Sequence, residues 1–580
     1  MKNAEIARIF HDIADLLEIR GDNPFRVRSY RNAAQAIEGL AESLDAMVKE
    51  DGERIETVPG IGKSLHAKVV EIVTSGSCSF MSELLTELPA GLLDMLQLQG
   101  VGPKKVQLLY RRLGITSVEE LYGAAKSHKL HDLPGMGEKS EEKILKAIVE
   151  MKAREGRFRI SRALPYANAL IEELARCPGV ADITLAGSLR RWRETVGDID
   201  ILAICEEGSP IMDHFTGHAD VKEVVASGAT KSSVVMGKGC QVDLRVLERD
   251  AFGAALLYFT GSKEHNVALR ERAKKRGLRL SEYGLFREED EVCIARERER
   301  DVYDALDLEW IAPEIRENRG EIEAADEGRL PSLIEARDLR GDLHMHTTAS
   351  DGASSIEEMA EAAMARGYEY IAITDHSKSL TIAHGLDEGR VALQIEEIDT
   401  INDRFSRRGI PFTILKGIEV DIKADGSLDL DEDTLGRLDV VVGAVHSKFT
   451  MGEEEMTERM LTAIGTGCLH IVAHPTGRIV GGREPYPVSM KRLMEGAKRA
   501  GVALELNSFP DRLDLNDVHL RLARETGVMV ALSTDAHAAF HLENITFGIH
   551  TARRGWIEKD NVLNTRPLNE LLPLLERGTV

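Results

Sequence analysis

Nine residues between positions 344 and 537 have the chemistry of a multinuclear metal site: His344, His346, Asp351, His376, Glu419, His446, His474, Asp535 and His537. All offer nitrogen or oxygen donors and none is Cys, a set that suits several divalent cations. Clustered cations with access to water imply phosphoester hydrolysis. His344 and His346 form His-x-His within GDLHMHTTASDG. On an extended chain residues i and i+2 face the same side, so both imidazoles reach one ion. A lone histidine after a strand is usually a satisfied structural residue, but nine donors, including His-x-His and Asp-x-His, resist that explanation. His384, His470, His519, His541 and His550 read as structural or supporting, with His384 nearest to substrate because it lies just past the His376 loop.

A second set is made of carboxylates. AGSLRRWRETVGDIDILAI (186–204) places Asp198 and Asp200 two apart in an apolar strand, and QVDLRVL (241–247) adds Asp243 on an expected neighbouring strand. A buried strand tolerates adjacent like charges only if cations neutralise them. Three carboxylates holding two Mg²⁺ ions meet the requirement for in-line phosphoryl or nucleotidyl transfer. Gly187 and Ser188, ahead of a helix, suit an anionic phosphate tail, and Arg191 adds charge.

Three further segments repeat one pattern: VPGIGKSLHAKVVEIV (58–73), LQGVGPKKVQLLYRRLG (98–114) and LPGMGEKSEEKILKAI (133–148). Each has two glycines in a tight turn followed by an amphipathic helix. Gly60 and Gly62, and Gly100 and Gly102, would let backbone amides at a helix N-terminus cradle DNA phosphates without reading sequence. The third copy carries Glu138, Glu141 and Glu142 and reads as a structural copy that has lost its phosphate. The pattern resembles the helix-hairpin-helix motif.

The nine donors need a scaffold that brings them together. Most follow short apolar runs: His376 closes YIAITDH, Glu419 ends FTILKGIE, His446 closes VVVGAVH, His474 closes IVAH, and Asp535 and His537 close VMVALSTDAH. Amphipathic stretches such as SSIEEMAEAAMARG and MKRLMEGAKRAG lie between them. Alternating strands and helices predict parallel strands. Ligands at strand C-termini converge at one end of a barrel, where such folds keep their active sites.

Segment 338–580 resembles the PHP (polymerase and histidinol phosphatase) domain family, through the motifs HMH…D, TDH, HP and DAH. The resemblance implies a distorted (β/α)7 barrel with three ions, Mn²⁺ or Zn²⁺. One would take His344, His346, Glu419 and Asp535. A second would share Glu419 and take His446 and His474, and the third would take Asp351, His376 and His537. Residues 1–315 resemble family X DNA polymerases, the polymerase beta group, most specifically in LYFTGSKEHNVALRERAKKRGLRLSEYGLF (257–286). That resemblance implies catalytic carboxylates at Asp198, Asp200 and Asp243, triphosphate contacts at Ser188 and Arg191, and a sugar pocket lined by Tyr258, Phe259 and Gly261. It implies minor-groove contacts at Asn266 and Arg270, which share a helix face at i, i+4, and a Glu282–Tyr283 pair that engages the arginine in the closed state. Lys68 aligns with the family's Schiff-base lysine, with Arg26 and Tyr30 at its phosphate pocket; Arg26 replaces a lysine. A lysine on this helix also reads as a plain DNA contact.

The expected fold class is multidomain α and α/β: an N-terminal helical DNA-binding domain (1–88), fingers with helix-hairpin-helix repeats (89–157), a nucleotidyltransferase palm with a mixed sheet (158–248), a thumb (249–315), a linker (316–338) and the barrel (339–580). The linker, APEIRENRGEIEAADEGRLPSLIEARDL with its flanks, is charged and apolar-poor, reads as a linker that can still pack on both parts, and is recognisable in bacterial family X polymerases carrying a C-terminal PHP domain. The net charge of −23 argues against nucleic acid only as an average; Arg272, Lys274, Lys275, Arg276 and Arg279 form a local basic patch. Six scattered Cys without a C-x-x-C pair fit reduced cytosolic thiols. The N-terminus lacks a signal-peptide core and no window approaches a membrane span. The expected activity is short-gap filling on primer-template DNA with dNTPs, by a monomer in the cytoplasm and at the nucleoid. The barrel is expected to act as a Mn²⁺-stimulated 3′–5′ exonuclease, with 3′-phosphatase and abasic-site endonuclease as relatives of that chemistry. Two competing readings are a small-molecule phosphatase and a metal-stapled scaffold.

Overall fold

The computed structural model describes residues 3–38, 44, 47–48, 55, 61–89, 91–96, 98, 101–130, 133–134, 136–137, 140–145, 147–148, 157–206, 209–237 and 239–576. They form two compact units, Met1–Glu155 and Gly156–Val580. Among the described residues, no helix is long and apolar enough to cross a membrane.

The first unit is helical, with Asn3–Arg20, Pro24–Glu38, Lys63–Ser75, Pro103–Leu113 and Val118–Lys126 as its longer described helices. One apolar core runs from Ile6 through Leu65, Val69, Val106 and Leu121 to Ile148. The boundary expected near residue 88 therefore does not divide two cores.

In the second unit a mixed five-stranded sheet carries the carboxylates, in the order Val180–Leu185, Asp198–Cys205, Gln241–Leu247, Lys231–Met236, Val221–Ala226. Asp198–Cys205 runs parallel to Gln241–Leu247, and the other pairings are antiparallel. The helices Phe252–Thr260 and Lys263–Lys275 follow, then a three-stranded antiparallel sheet and the helix Glu299–Ala305.

The C-terminal part is a nearly closed parallel barrel of seven strands in chain order, from Gly341–Asp342 to Val530–Ser533. The seam is bridged by the Met345–Ala536 pairing, with the His346 amide donating to the Ala536 carbonyl at 2.8 Å. Strands such as Val440–Ala444 are buried at every residue, as parallel strands covered on both faces must be. Side chains cap the covering helices: Ser355 and Glu358 form a reciprocal capping box, and Asp387 and Asn516 accept from the first-turn amides. Leu563, Leu571 and Leu575 pack with Tyr370 and Val440, which open their strands, so the C-terminal segment plugs the N-terminal end of the barrel. The opposite end is left for the donors.

The 316–338 segment packs into the fold. Arg316 and Glu321 are fully buried, and Ile322, Ala324 and Ala325 join the core of the preceding helices. Glu321 accepts from the Asn318 and Arg319 amides and pairs with His265 at 2.6 Å. Its charges are anchors rather than a solvated tether. Arg316 and Arg190 both bond Glu299, at 2.7 Å each. Burial alone would push the Glu299 carboxyl up; the two guanidiniums override this and hold it at about 2. An ordinary glutamate titrates near 4.3, so this stabilisation, roughly 3 kcal/mol, is present above that pH and lost as pH falls toward the folded value. Glu299→Gln should lower the melting temperature at pH 7 and flatten the acid limb of stability between about pH 4.5 and 2, read by thermal melts across pH.

Candidate metal centre and nucleotidyl-transfer site

The barrel brings the nine expected donors to the C-terminal ends of its strands. Glu419 lies at their centre, on the strand Thr413–Asp421, and is buried. Its Oε1 stands 3.1 Å from His474 Nε2, 3.5 Å from His446 Nε2 and 3.6 Å from His344 Nε2. Its Oε2 stands 2.6 Å from His376 Nδ1 and 3.7 Å from His346 Nε2. Asp535 Oδ1 is 3.1 Å from His346 Nε2, while Asp351 reaches His376 at 3.6 Å and His537 at 3.5 Å. The donors fall into overlapping groups: His346, Asp351, His376 and His537; His344, His346 and Asp535; His376, Glu419 and His446. His346 and His376 thus each join two groups, one more than the partition implied by the family resemblance.

The donor set fits divalent ions. Buried atoms that make no aligned hydrogen bond gather here: Nδ1 of His346, His376, His446 and His474, and Oε2 of Glu419, although His376 Nδ1 and Glu419 Oε2 stand 2.6 Å apart. Buried polar atoms are normally satisfied, and unmet atoms on five of the nine converging residues are what ligands to an ion look like without it. The electrostatics agree. Burial alone would raise Glu419 and Asp535, yet the surrounding histidines hold both well below the ordinary carboxylate range. Burial, then His376, drives His346 down to about 4, whereas Asp351 and Asp535 override burial and lift His537 to about 9.

Supporting residues that the sequence reading missed surround these donors. Glu505, fully buried on the strand Ala503–Asn507, bonds His344 Nδ1 at 2.6 Å and accepts from the His474 amide at 2.8 Å. Asn507 donates to Asp535 at 2.9 Å. Asp375 takes the Thr347 amide and hydroxyl and Gln394, tying the loop that bears Asp351. Asp421 stands 3.3 Å from His446 Nδ1. A signal was available: Glu505 and Asn507 sit at i, i+2 in the buried strand ALELN. Such outer partners orient ligating histidines. Glu505→Gln is expected to weaken metal affinity ~10- to 100-fold, measured by metal titration of stripped protein. His470 is structural, joining the Val441 amide and the Leu575 carbonyl. His384 is exposed, in a left-handed turn, and its carbonyl accepts from Arg390.

In the palm, Asp200 and Asp243 are direct partners across parallel strands. Asp198 is exposed at the strand mouth. Burial, then Asp198 and Asp243, pushes Asp200 up to about 7. Lys231 at 3.2 Å and Gln241 at 2.9 Å occupy Asp243. A carboxylate this unfavourable to ionise, half-buried beside two others, fits a cation site. Ser188 is half-buried in the short helix Gly187–Arg190. Gly187 has φ of 61°, and a Cβ there would lie 2.2 Å from Asp200 Oδ2, so the turn passes directly over the carboxylate.

The remaining expected contacts cluster unevenly. Asn266 donates to the Tyr258 carbonyl at 2.6 Å, and Arg270 reaches the Asn266 carbonyl at 3.3 Å. Tyr258 and Phe259 meet edge-on, and Arg245 covers the Phe259 ring. Gly261, with φ of 70°, lies against Arg191. Glu282 is half-buried and Tyr283 is exposed. The five basic residues divide between paired and exposed side chains. Arg272 bonds the Leu306 carbonyl and Asp326, Arg276 pairs with Asp307, and Arg279 with Glu291; Lys274 and Lys275 are exposed.

In the N-terminal unit Arg26 and Lys68 lie over the Phe80 ring, at 4.8 and 5.1 Å, and Tyr30 stacks on it. Gly62 and Gly102 cap their helices without a side-chain acceptor, and a Cβ on either would meet nothing within 4 Å. The protein itself does not require those glycines, whereas an approaching backbone would. Gly60 and Gly100 lie outside the described residues.

Family models match in four places: a helix-hairpin-helix domain over 1–78, a SAM-like helix-hairpin-helix tandem over 92–150, a DNA polymerase beta thumb over 255–317 and a PHP domain over 342–508. A Bacillus subtilis (strain 168) protein named DNA polymerase/3′-5′ exonuclease PolX is 41% identical over 580 residues, 100% of both chains. The chain belongs to the PolX family. A probable phosphatase of Thermoanaerobacter sp. (strain X514) is 30% identical over 236 residues, covering 39% of this chain and 89% of its own. One from Enterobacter sp. (strain 638) is 29% identical over 246 residues, 40% and 93%. The match to the PolX protein spans the whole chain, whereas the phosphatases match 39% and 40% of it.

Proposed function

We propose that this PolX-family chain extends DNA 3′ ends at Asp198, Asp200 and Asp243 and hydrolyses them at the Glu419-centred cluster. It is a DNA polymerase with a 3′–5′ exonuclease. The observation that carries the reading is the end-to-end match to a PolX polymerase/exonuclease in a chain with two separate clusters suited to divalent ions. In the palm, two Mg²⁺ ions on the three carboxylates would supply Lewis acidity to both oxygens of an in-line displacement. Arg191 and Ser188 bind the triphosphate tail beside the helix turn. The Tyr258–Gly261 segment packs under the sugar, and Asn266 and Arg270 contact the nascent pair. In the barrel, three ions, Mn²⁺ or Zn²⁺ by availability, would supply an ionised water and charge neutralisation for phosphodiester cleavage. Glu505 and Asn507 orient His344 and Asp535 toward them. Helix-hairpin-helix amides at Gly62 and Gly102, with those of Gly60 and Gly100, hold the duplex backbone. Arg26, Tyr30 and Lys68 take the 5′ phosphate of a gap.

The substrate is gapped or primer-template duplex, with dNTPs, handled by a single copy in the cytoplasm at the nucleoid. The test compares 3′-end hydrolysis on duplex with hydrolysis of a free phosphate monoester, in Mn²⁺. The reading expects primer ends to be favoured by kcat/KM. Preference for the free monoester would assign the barrel to small molecules, and metal content without hydrolysis in any of Mn²⁺, Mg²⁺ or Zn²⁺ would make it a scaffold.

A further inference from the structure

Arg191 is held on two edges, and the residues that hold it come from outside the palm. Its Nη1 donates to the carbonyl of Thr260, immediately before Gly261, and its Nε lies 3.2 Å from Glu317 Oε1. Glu317 belongs to the packed 316–338 segment. The same Oε1 accepts from Arg554 Nη1 at 3.0 Å and faces Arg193 at 3.8 Å. Arg554 ends the barrel helix Ile545–Arg554 and is buried. Its Nη1 also reaches the Arg191 carbonyl at 2.7 Å, and its Nη2 bonds Asp517 at 2.7 Å. Beside this junction Trp192 stacks on His550 of the same barrel helix, with ring centroids 3.6 Å apart and planes 6° from parallel. A palm arginine, a thumb-side glutamate and a barrel arginine therefore form one contiguous chain of contacts.

We propose that Glu317 is a positioning residue for nucleotide binding: it fixes the Arg191 fork against the Thr260–Gly261 turn, and Arg554 of the barrel fixes Glu317. The inference rests on the reading of Arg191 as a triphosphate contact. A guanidinium presents a planar fork of five N–H donors. With Nε and Nη1 engaged by Glu317 and Thr260, the Nη2 edge is the one the proposal assigns to phosphate. A free arginine side chain would have to be immobilised when the nucleotide binds, at a cost in affinity; Glu317 meets that cost in the folded protein. The barrel thereby sets nucleotide affinity at the polymerase site through Arg554, without touching nucleotide.

The test is single-nucleotide incorporation on a gapped duplex in Mg²⁺ by the full-length protein, with KM for dNTP and kcat measured separately. Glu317→Ala is expected to raise KM roughly 3- to 10-fold with kcat changed less than about twofold. Glu317→Gln, which keeps the shape and one acceptor, should recover part of the loss and guards against a folding defect. Arg554→Ala should raise KM similarly, and Glu317→Ala should add little once Arg191 is already Ala. An unchanged or lowered KM in Glu317→Ala would overturn the proposal, the latter showing that Glu317 competes with the triphosphate. A matched fall in kcat together with a lower melting temperature, unrelieved by Gln, would overturn it in favour of a merely structural role. If Arg191→Ala itself leaves KM unchanged, the reading of Arg191 fails first and the inference with it.

Discussion

Replacing Asp198 and Asp200 together by Ala is expected to abolish nucleotide addition, by on the order of 10³-fold or more, while leaving shortening of a labelled 3′ end in Mn²⁺ close to wild type. The physical reason is local. Asp200 faces Asp243 across paired strands, and burial with its two neighbours makes its charge costly unless a cation answers it. Removing two of three carboxylates removes the charge that would hold the cations, but it leaves the barrel cluster and its supporting carboxylates intact. Gel-resolved extension and degradation on one gapped substrate reads both activities. Loss of both in this variant would mean that one site performs both reactions.

The converse substitution is Glu419→Ala. Glu419 stands between 2.6 and 3.7 Å from five histidines, so its loss removes the shared carboxylate and leaves those imidazoles facing one another. Metal content, measured by elemental analysis, should fall, and 3′-end hydrolysis should drop by roughly 10²- to 10³-fold. Nucleotide addition in Mg²⁺ should be retained. The double replacement His344→Ala, His346→Ala should behave the same way. Continued hydrolysis in either variant would show that the cluster is not where ends are cleaved.

Much of this architecture was legible because the chemistry and the element boundaries coincide. His376, His446 and His474 follow buried apolar runs directly, and parallel strands leave such residues at one end of a barrel. The i, i+2 spacing that linked His344 to His346 and Asp198 to Asp200 is a property of extended backbone and needs no tertiary information. The same rule would have revealed Glu505 and Asn507, whose strand carries no cue of its own beyond two polar residues in a buried run. Other features depended on distant partners. How the 316–338 segment packs was not legible because hydropathy counts Arg316 and Glu321 as polar, whereas Glu299 and His265 satisfy them in the interior. Which basic residues of 272–279 are paired was not legible, because Arg272 and Arg276 find Asp326 and Asp307 only once the chain is folded. Phe80, the ring beneath Arg26, Tyr30 and Lys68, carries no motif and is found only by its contacts.

The central claim is that one chain builds and trims the same DNA end at two separate sites. The most direct measurement presents the wild-type protein with a gapped duplex labelled on the strand whose 3′ end borders the gap, in Mn²⁺, with and without dNTPs. Progressive shortening without dNTPs and gap-length extension with them is the predicted result. An end that is extended but never shortened, with the protein shown to carry its metal, would contradict it.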